Sequence, residues 1–159
     1  MNKIQFEYLA DRPECVPQVI AWWHTVWADR MGSDIPRLEA QLRQSLGRDE
    51  LPVHLLATAA GRPVGTAVLK RQELADLYPD RQYWLGSVYV VPEYRHGRIA
   101  SQLAERVIEL AREQELPHLY LQTVNLNGGL YARLGWRPVE RFDYRGETTL
   151  LMLRELGTR

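Results

Sequence analysis

Residues 83–123 hold the pattern that most limits what this chain can fold into. Tyr83 to Val91 is rich in aromatic and β-branched residues and ends at Pro92, which reads as a strand. Ile99 to Gln114 follows as an amphipathic helix. Leu103, Val107, Leu110 and Ala111 form its apolar stripe, and Glu105, Glu109, Arg112 and Glu113 lie largely on the other side. His118 to Thr123 is a second strand. A helix joining two such strands predicts a right-handed crossover between parallel neighbours in one sheet.

The remaining segments supply further strands and a helical cover. Ile4, Phe6 and Tyr8 alternate with polar residues as in a short strand. Val16 to Trp27 and Ile35 to Leu46 carry apolar residues at helical spacing, and Gly47 is a stop signal for the second. Val53 to Ala59 and Val64 to Lys70 flank Ala60-Gly61-Arg62-Pro63 as a hairpin. Arg71 to Arg81 is polar and turn-rich, a loop over one face. Gly129 to Leu134 is a short helix stopped by Gly135, and Trp136 to Arg154 reads as two more strands. The order β-α-α-β-β-β-α-β-α-β-β predicts an α/β (α+β) fold, a mixed sheet with helices on both faces. A length of 159 residues suits one domain, 1–159.

Several function classes are disfavoured. Lys plus Arg and Asp plus Glu each total 20, so the net charge is zero and the basic footprint of a general nucleic-acid binder is missing. Cys15 is the single cysteine, so no internal disulfide or cysteine zinc cluster is expected. His24, His54, His96 and His118 are scattered without metal-ligand spacing, and no metal is expected. No apolar run reaches the roughly 18 residues of a membrane helix, and Met1 to Ala10 does not read as a signal peptide. A cytoplasmic location without membrane partners is the expectation. No Gly-x-x-x-x-Gly-Lys-Ser/Thr occurs, which disfavours a P-loop enzyme.

The chemistry points to the junction from Val88 to Ser101. A helix start presents unpaired N–H groups and a partial positive charge, and such an end binds phosphate oxygens. Gly97 and Ala100 keep bulk away from the backbone, and Arg95 and Arg98 add cations. The same residues also fit an ordinary strand-to-helix turn with two solvated arginines.

Taken with a second segment, this junction resembles the GNAT superfamily of N-acetyltransferases. The family pattern is Arg/Gln-x-x-Gly-x-Gly/Ala after a strand ending in Tyr-Val-x-Pro-Glu-Tyr. Tyr89-Val90-Val91-Pro92-Glu93-Tyr94-Arg95 matches it, as do Ile99 and Ala100. One position departs: the family's middle glycine falls on Arg98, and the glycine here stands one place earlier, at Gly97. Leu130-Tyr131-Ala132-Arg133-Leu134-Gly135-Trp136 is similar to the family's Leu-Tyr-x-x-Leu-Gly-Phe/Trp. The two segments lie in the family's order and separation, and the likeness is weakest in the N-terminal third.

The resemblance implies acetyl-CoA as cofactor and a mostly antiparallel sheet of about seven strands. The strand Tyr83–Val91 would be bulged and splayed from the parallel His118–Thr123. Val88, Tyr89, Val90, Arg95, His96, Gly97, Arg98, Ile99, Ala100 and Ser101 are then the expected cofactor contacts. Asn125 and Asn127 join them as alternatives that also fit loop or helix-cap roles. Tyr131 would protonate the departing thiolate, though it also fits an aromatic packed on the Ile99 helix. Family members often place a carboxylate base just before Tyr-Val, where this chain has Gly86-Ser87. Glu73, Asp76 and Asp80 are loop charges that could act through water. Trp22, His24, Tyr83 and Trp84 are expected to border the acceptor pocket, and Trp23 and Trp27 read as core. The implied reaction is acetyl transfer to a primary amine of a small molecule or peptide N-terminus by direct attack in a ternary complex. The alternative is a non-catalytic CoA-binding module or sensor. Edge strands from Phe142 onward are a candidate homodimer contact.

Overall fold

The computed structural model describes residues 3–157. In chain order the elements are β1 (Ile4–Tyr8), α1 (Val16–Met31), α2 (Ile35–Arg43), β2 (Val53–Ala59), β3 (Arg62–Lys70) and β4 (Trp84–Val90). They continue as α3 (Ile99–Glu113), β5 (His118–Thr123), α4 (Gly129–Arg133), β6 (Arg137–Tyr144) and β7 (Glu147–Glu155). All seven strands form one sheet in the order β1-β2-β3-β4-β5-β7-β6. Its neighbours are antiparallel except β4 and β5, which run parallel across the α3 connection. This is the mixed, mostly antiparallel sheet that the sequence predicts.

The alternation of side chains along each strand divides the interior. On β2, Leu55 and Ala57 join the core beneath α3, whereas Leu56 points the other way, against α1 and α2. The α3 stripe buries Ile99, Leu103, Ala104, Val107, Ile108, Leu110 and Ala111, so this helix is held mainly by its apolar face. The opposite face has two separate covers. Val16, Val19, Ile20 and Trp22 of α1, with Leu42 of α2, seal one half. The other half, around Trp84, Tyr120 and Leu151, lies under Leu74 and Tyr78 of the connection between β3 and β4.

Local chemistry sets the ends of the elements. Asp34 caps α2 by accepting a hydrogen bond from the Arg37 N–H at 3.2 Å. Arg145 and Gly146, both at positive φ, turn β6 into β7. Helix α1 runs past the predicted Trp27 to Met31, with a kink at Trp27, which leaves helical geometry (φ −122°, ψ 30°) for one residue before the helix resumes.

Candidate active site

The geometry of the site follows from how β4 leaves β5. The two strands share a single register pair, Trp84 with Tyr120, and then diverge. On its other side β4 slips register against β3 between the pairs Val68–Gly86 and Thr66–Tyr89. Ser87 sits at this slip with φ 54°, which marks a β-bulge. Trp84 faces the α1 and loop side of the sheet, and Tyr89, five residues on, packs against the α1 core. An odd spacing between same-face residues requires one inserted residue. Two side chains hold the bulge open. Trp23 Nε1 donates to the Ser87 carbonyl at 3.1 Å, and Lys70 Nζ donates to Ser87 Oγ at 3.0 Å.

A cavity of about 480 Å³ fills the gap between the diverging strands and the two covers. Gly86, Ser87 and Val88 form one wall, Leu121 to Val124 another, and Trp23, Trp27, Glu73 and Tyr131 complete it. Val26 and Val124 are exposed apolar residues on its lining.

Gly86 makes room for a carboxylate. A Cβ at this position would lie 2.3 Å from Glu73 Oε1 and 2.9 Å from Lys70 Cε. Glu73 therefore reaches from the β3–β4 connection into space that any other side chain on β4 would take. Its side chain is only 13% exposed and is paired with Lys70 Nζ at 2.9 Å. By sequence alone Glu73 is one of three loop charges, with Asp76 and Asp80. The local signal for its placement is the glycine itself, an unfilled side-chain position on a strand that borders the cavity.

Tyr131 lies across the cavity at the start of the Leu-Gly-Trp turn. Its ring meets Trp136 edge-on at a centroid distance of 5.9 Å, and the Trp136 N–H donates to its carbonyl at 3.0 Å. Trp136 is itself anchored through Nε1 to the Leu119 carbonyl at 3.1 Å. Burial, and then the nearby Glu73 charge, push the Tyr131 phenol up to about 12, so it stays protonated at neutral pH.

The start of α3 suits an anion. No side chain caps it and its first turn carries no acidic residue. Gln102 is the first residue of the helix to bond back, to the Arg98 carbonyl at 3.0 Å, which leaves the N–H groups of Ile99, Ala100 and Ser101 at the open end. Arg98 adopts a left-handed conformation that favours glycine (φ 69°), as does His96 (φ 69°). Gly97 is not at positive φ, so the shifted glycine does not take over that role. Arg95 folds back: its Nε donates to the Val90 carbonyl at 2.8 Å, and its guanidinium lies 5.4 Å from the Tyr89 ring centroid. Val88 lines the cavity, whereas Val90 is in the core.

The four residues expected at the acceptor pocket are placed otherwise. Trp22 is in the α1 core, stacked on Tyr89 at 5.6 Å, while Trp23 and Trp27 line the cavity in its stead. Adjacent helical residues point about 100° apart, and the rotation of α1 sends Trp22 inward. Trp84 is fully buried beneath the β3–β4 connection. Tyr83 packs beside His118, and His24 Nε2 donates to the Gly32 carbonyl at 2.9 Å; neither lines the cavity. Asn125 and Asn127 are exposed and also lie off the cavity lining. Asn125 shapes the turn into α4: its Oδ1 accepts from the Asn127 N–H at 3.1 Å, and Gly129 has no Cβ to strike its amide. Among the described residues no cluster of three or more His, Cys, Asp or Glu is placed to hold a metal ion. No helix there is long and apolar enough to cross a membrane.

Comparison with known proteins agrees with this geometry. Residues 16–136 match the family model of the acetyltransferase (GNAT) family. No curated protein matches the sequence. Among solved structures, a GNAT-family acetyltransferase from Streptococcus pneumoniae superposes with TM-score 0.72 at 18% identity, covering 98% of this chain and 100% of that one. Aminoglycoside 6'-acetyltransferase type Ii gives TM-score 0.73 at 15% identity, with 99% of each chain covered. An acyl-CoA N-acyltransferase from Pseudomonas aeruginosa gives 0.67 at 18% identity, covering 97% of this chain and 99% of that one. At these identities the likeness establishes the fold.

Proposed function

Because the chain belongs to the GNAT family of acetyltransferases, we propose that it transfers an acetyl group from acetyl-CoA to a primary amine. The observation that carries this reading is the parting of β4 and β5 after one register pair, with a cavity between them bounded by both Glu73 and Tyr131. The residues fit the cofactor on two grounds. The parting of β4 from β5 after one register pair leaves backbone groups along the gap without a strand partner, where they can pair with pantetheine amides, and the uncapped start of α3 suits a pyrophosphate. Val88 with the backbone of Tyr89 and Val90, and Ile99 to Ser101, are the residues that would hold it. Arg98 and His96 would stand beside the phosphates. When bound, acetyl-CoA supplies a thioester: a C–N bond to the amine forms at its carbonyl carbon as the C–S bond breaks.

Glu73 is the base. An amine with pKa near 10 arrives as an ammonium and must lose a proton before attack. The Glu73 carboxylate, fixed by Lys70 over Gly86, accepts it. Of the two protons the nitrogen gives up overall, one ends on the thiol and one leaves to solvent.

Tyr131 holds a proton toward the sulfur. With the phenol at about 12 and an ordinary thiol near about 8.5, complete transfer is uphill by about 5 kcal/mol. Two effects narrow that gap. The same dry cavity raises a thiol for the reason it raises the phenol. In addition, a proton on Glu73 removes the negative charge that is the second cause of the Tyr131 shift. Base and acid are thereby coupled: accepting a proton at Glu73 makes the Tyr131 proton easier to give. The glycine at the expected base position is what favours a non-catalytic sensor, and the Glu73 carboxylate over that glycine answers it.

The test is thiol release from acetyl-CoA across a panel of primary amines. Turnover that falls by about 100-fold in Glu73→Gln and by about tenfold or more in Tyr131→Phe is expected. Tight CoA binding with no turnover on any amine, indifferent to both substitutions, would establish the sensor instead.

A further inference from the structure

A second chamber of about 430 Å³ opens beside the first and shares Trp23, Met31 and Ser87 with it. It lies between α1, α2 and the strands β2 and β3, and its walls are mostly apolar, with Ile20, Leu38, Leu42 and Val68 among them. Two buried polar groups interrupt this surface. His54 is 6% exposed, and neither of its ring nitrogens has a hydrogen-bond partner among the described residues. Gln72 Oε1 is likewise buried and unpaired, although its amide nitrogen donates to the Pro79 carbonyl at 2.9 Å. A buried polar atom without a partner destabilises the fold that holds it. Two such side chains lining one chamber are a recognition surface in waiting. Burial, and then the Lys70 charge, push His54 down to about 4, so near neutral pH its ring offers one N–H donor and one lone pair. None of the residues lining the chamber is acidic, and Lys70 and Arg71 are among them.

Resting on the acyl-transfer reading, we infer that this chamber selects the acceptor, an apolar mono-amine carrying one neutral hydroxyl or amide that pairs with His54 and Gln72. The amine stays in the first cavity, at Glu73, and the apolar body passes Trp23 into the second chamber. The distal polar group satisfies atoms that are otherwise stranded. A second cationic centre would enter a chamber whose charged lining residues are Arg71 and a Lys70 already paired with Glu73, so polyamines and multiply charged sugars are poor acceptors.

Tyramine, phenethylamine and spermidine separate these cases. With the acetyl-CoA-saturated enzyme, tyramine should show a KM about tenfold below that of phenethylamine, which lacks only the hydroxyl, and spermidine should be the weakest of the three. In His54→Leu the tyramine advantage over phenethylamine should collapse toward unity. His54→Gln, which keeps a donor and an acceptor, should retain part of it. Calorimetry of tyramine on the CoA-saturated protein reads the chamber without chemistry. Binding that is lost in His54→Leu, with no turnover on any amine, would leave the chamber standing and sink acyl transfer. Robust turnover of spermidine above both aryl amines, or a tyramine preference untouched by His54→Leu, would overturn the chamber and leave acyl transfer intact.

Discussion

The two faces of the sheet are built from alternate residues of the same strands, yet one is sealed and the other divided. Beneath α3 a single core cluster runs from β2 to β7, and the first cavity reaches it where β4 and β5 part, at Leu85 and Leu121. On the opposite face, α1 and α2 cover one half and the β3–β4 connection covers the other, with both chambers between or beside them. A continuous cover gives stability. An interrupted one gives a place for a ligand, and two titratable groups with large shifts, Tyr131 and His54, line the first and second chambers.

Substitutions that act on one face and spare the other test this contrast. The largest expected effect belongs to the divided face. Glu73→Gln should lower kcat/KM by about 100-fold while the melting temperature hardly moves. Gly86→Ala should reproduce much of that loss with the carboxylate still present, because the new methyl would strike Glu73 Oε1. On the sealed face Leu103→Ala, at a fully buried site, should cost about 3 kcal/mol in denaturant unfolding and leave KM for the amine unchanged. An equal kinetic effect from Leu103→Ala would erase the distinction.

Acid should also find the divided face. His54 takes up a proton near pH 6.5 when unfolded but only at about 4 when folded. The unfolded state therefore binds the proton first as pH falls, and stability declines between about pH 6.5 and 4, by about 3 kcal/mol in all. His54→Leu should lack this component when unfolding free energies at pH 7 and pH 4 are compared. The smallest effect concerns the turn before α3. Arg98→Gly removes a left-handed non-glycine residue, so it should raise stability by about 1 kcal/mol or less, measured by denaturant midpoint.

Much of this was legible in the sequence because the signals are local. The α3 stripe, the Val53–Lys70 hairpin and the Tyr83–Val91 strand each declare themselves by period and turn residues, and the structure has all of them. Tyr131 stands out through its motif. Glu73 does not, because a carboxylate in a polar loop looks the same whether the loop extends into water or folds inward; the difference lies in Gly86, thirteen positions later. The tryptophans show the limit of periodicity. Trp22 and Trp23 both belong to an apolar helix, and only the rotation of α1 against β4 decides which of them enters the core. The departure of Trp27 from helical geometry breaks the phase again.

Gly86 has a consequence for how such a protein can change. Where a strand supplies the proton acceptor, losing that residue disturbs the scaffold as well as the reaction. Here the acceptor hangs on a connection that the sheet does not depend on for its hydrogen-bond ladder. Exchanging those few residues would rewrite the chemistry, or silence it, and leave the sheet and its cleft intact for another use.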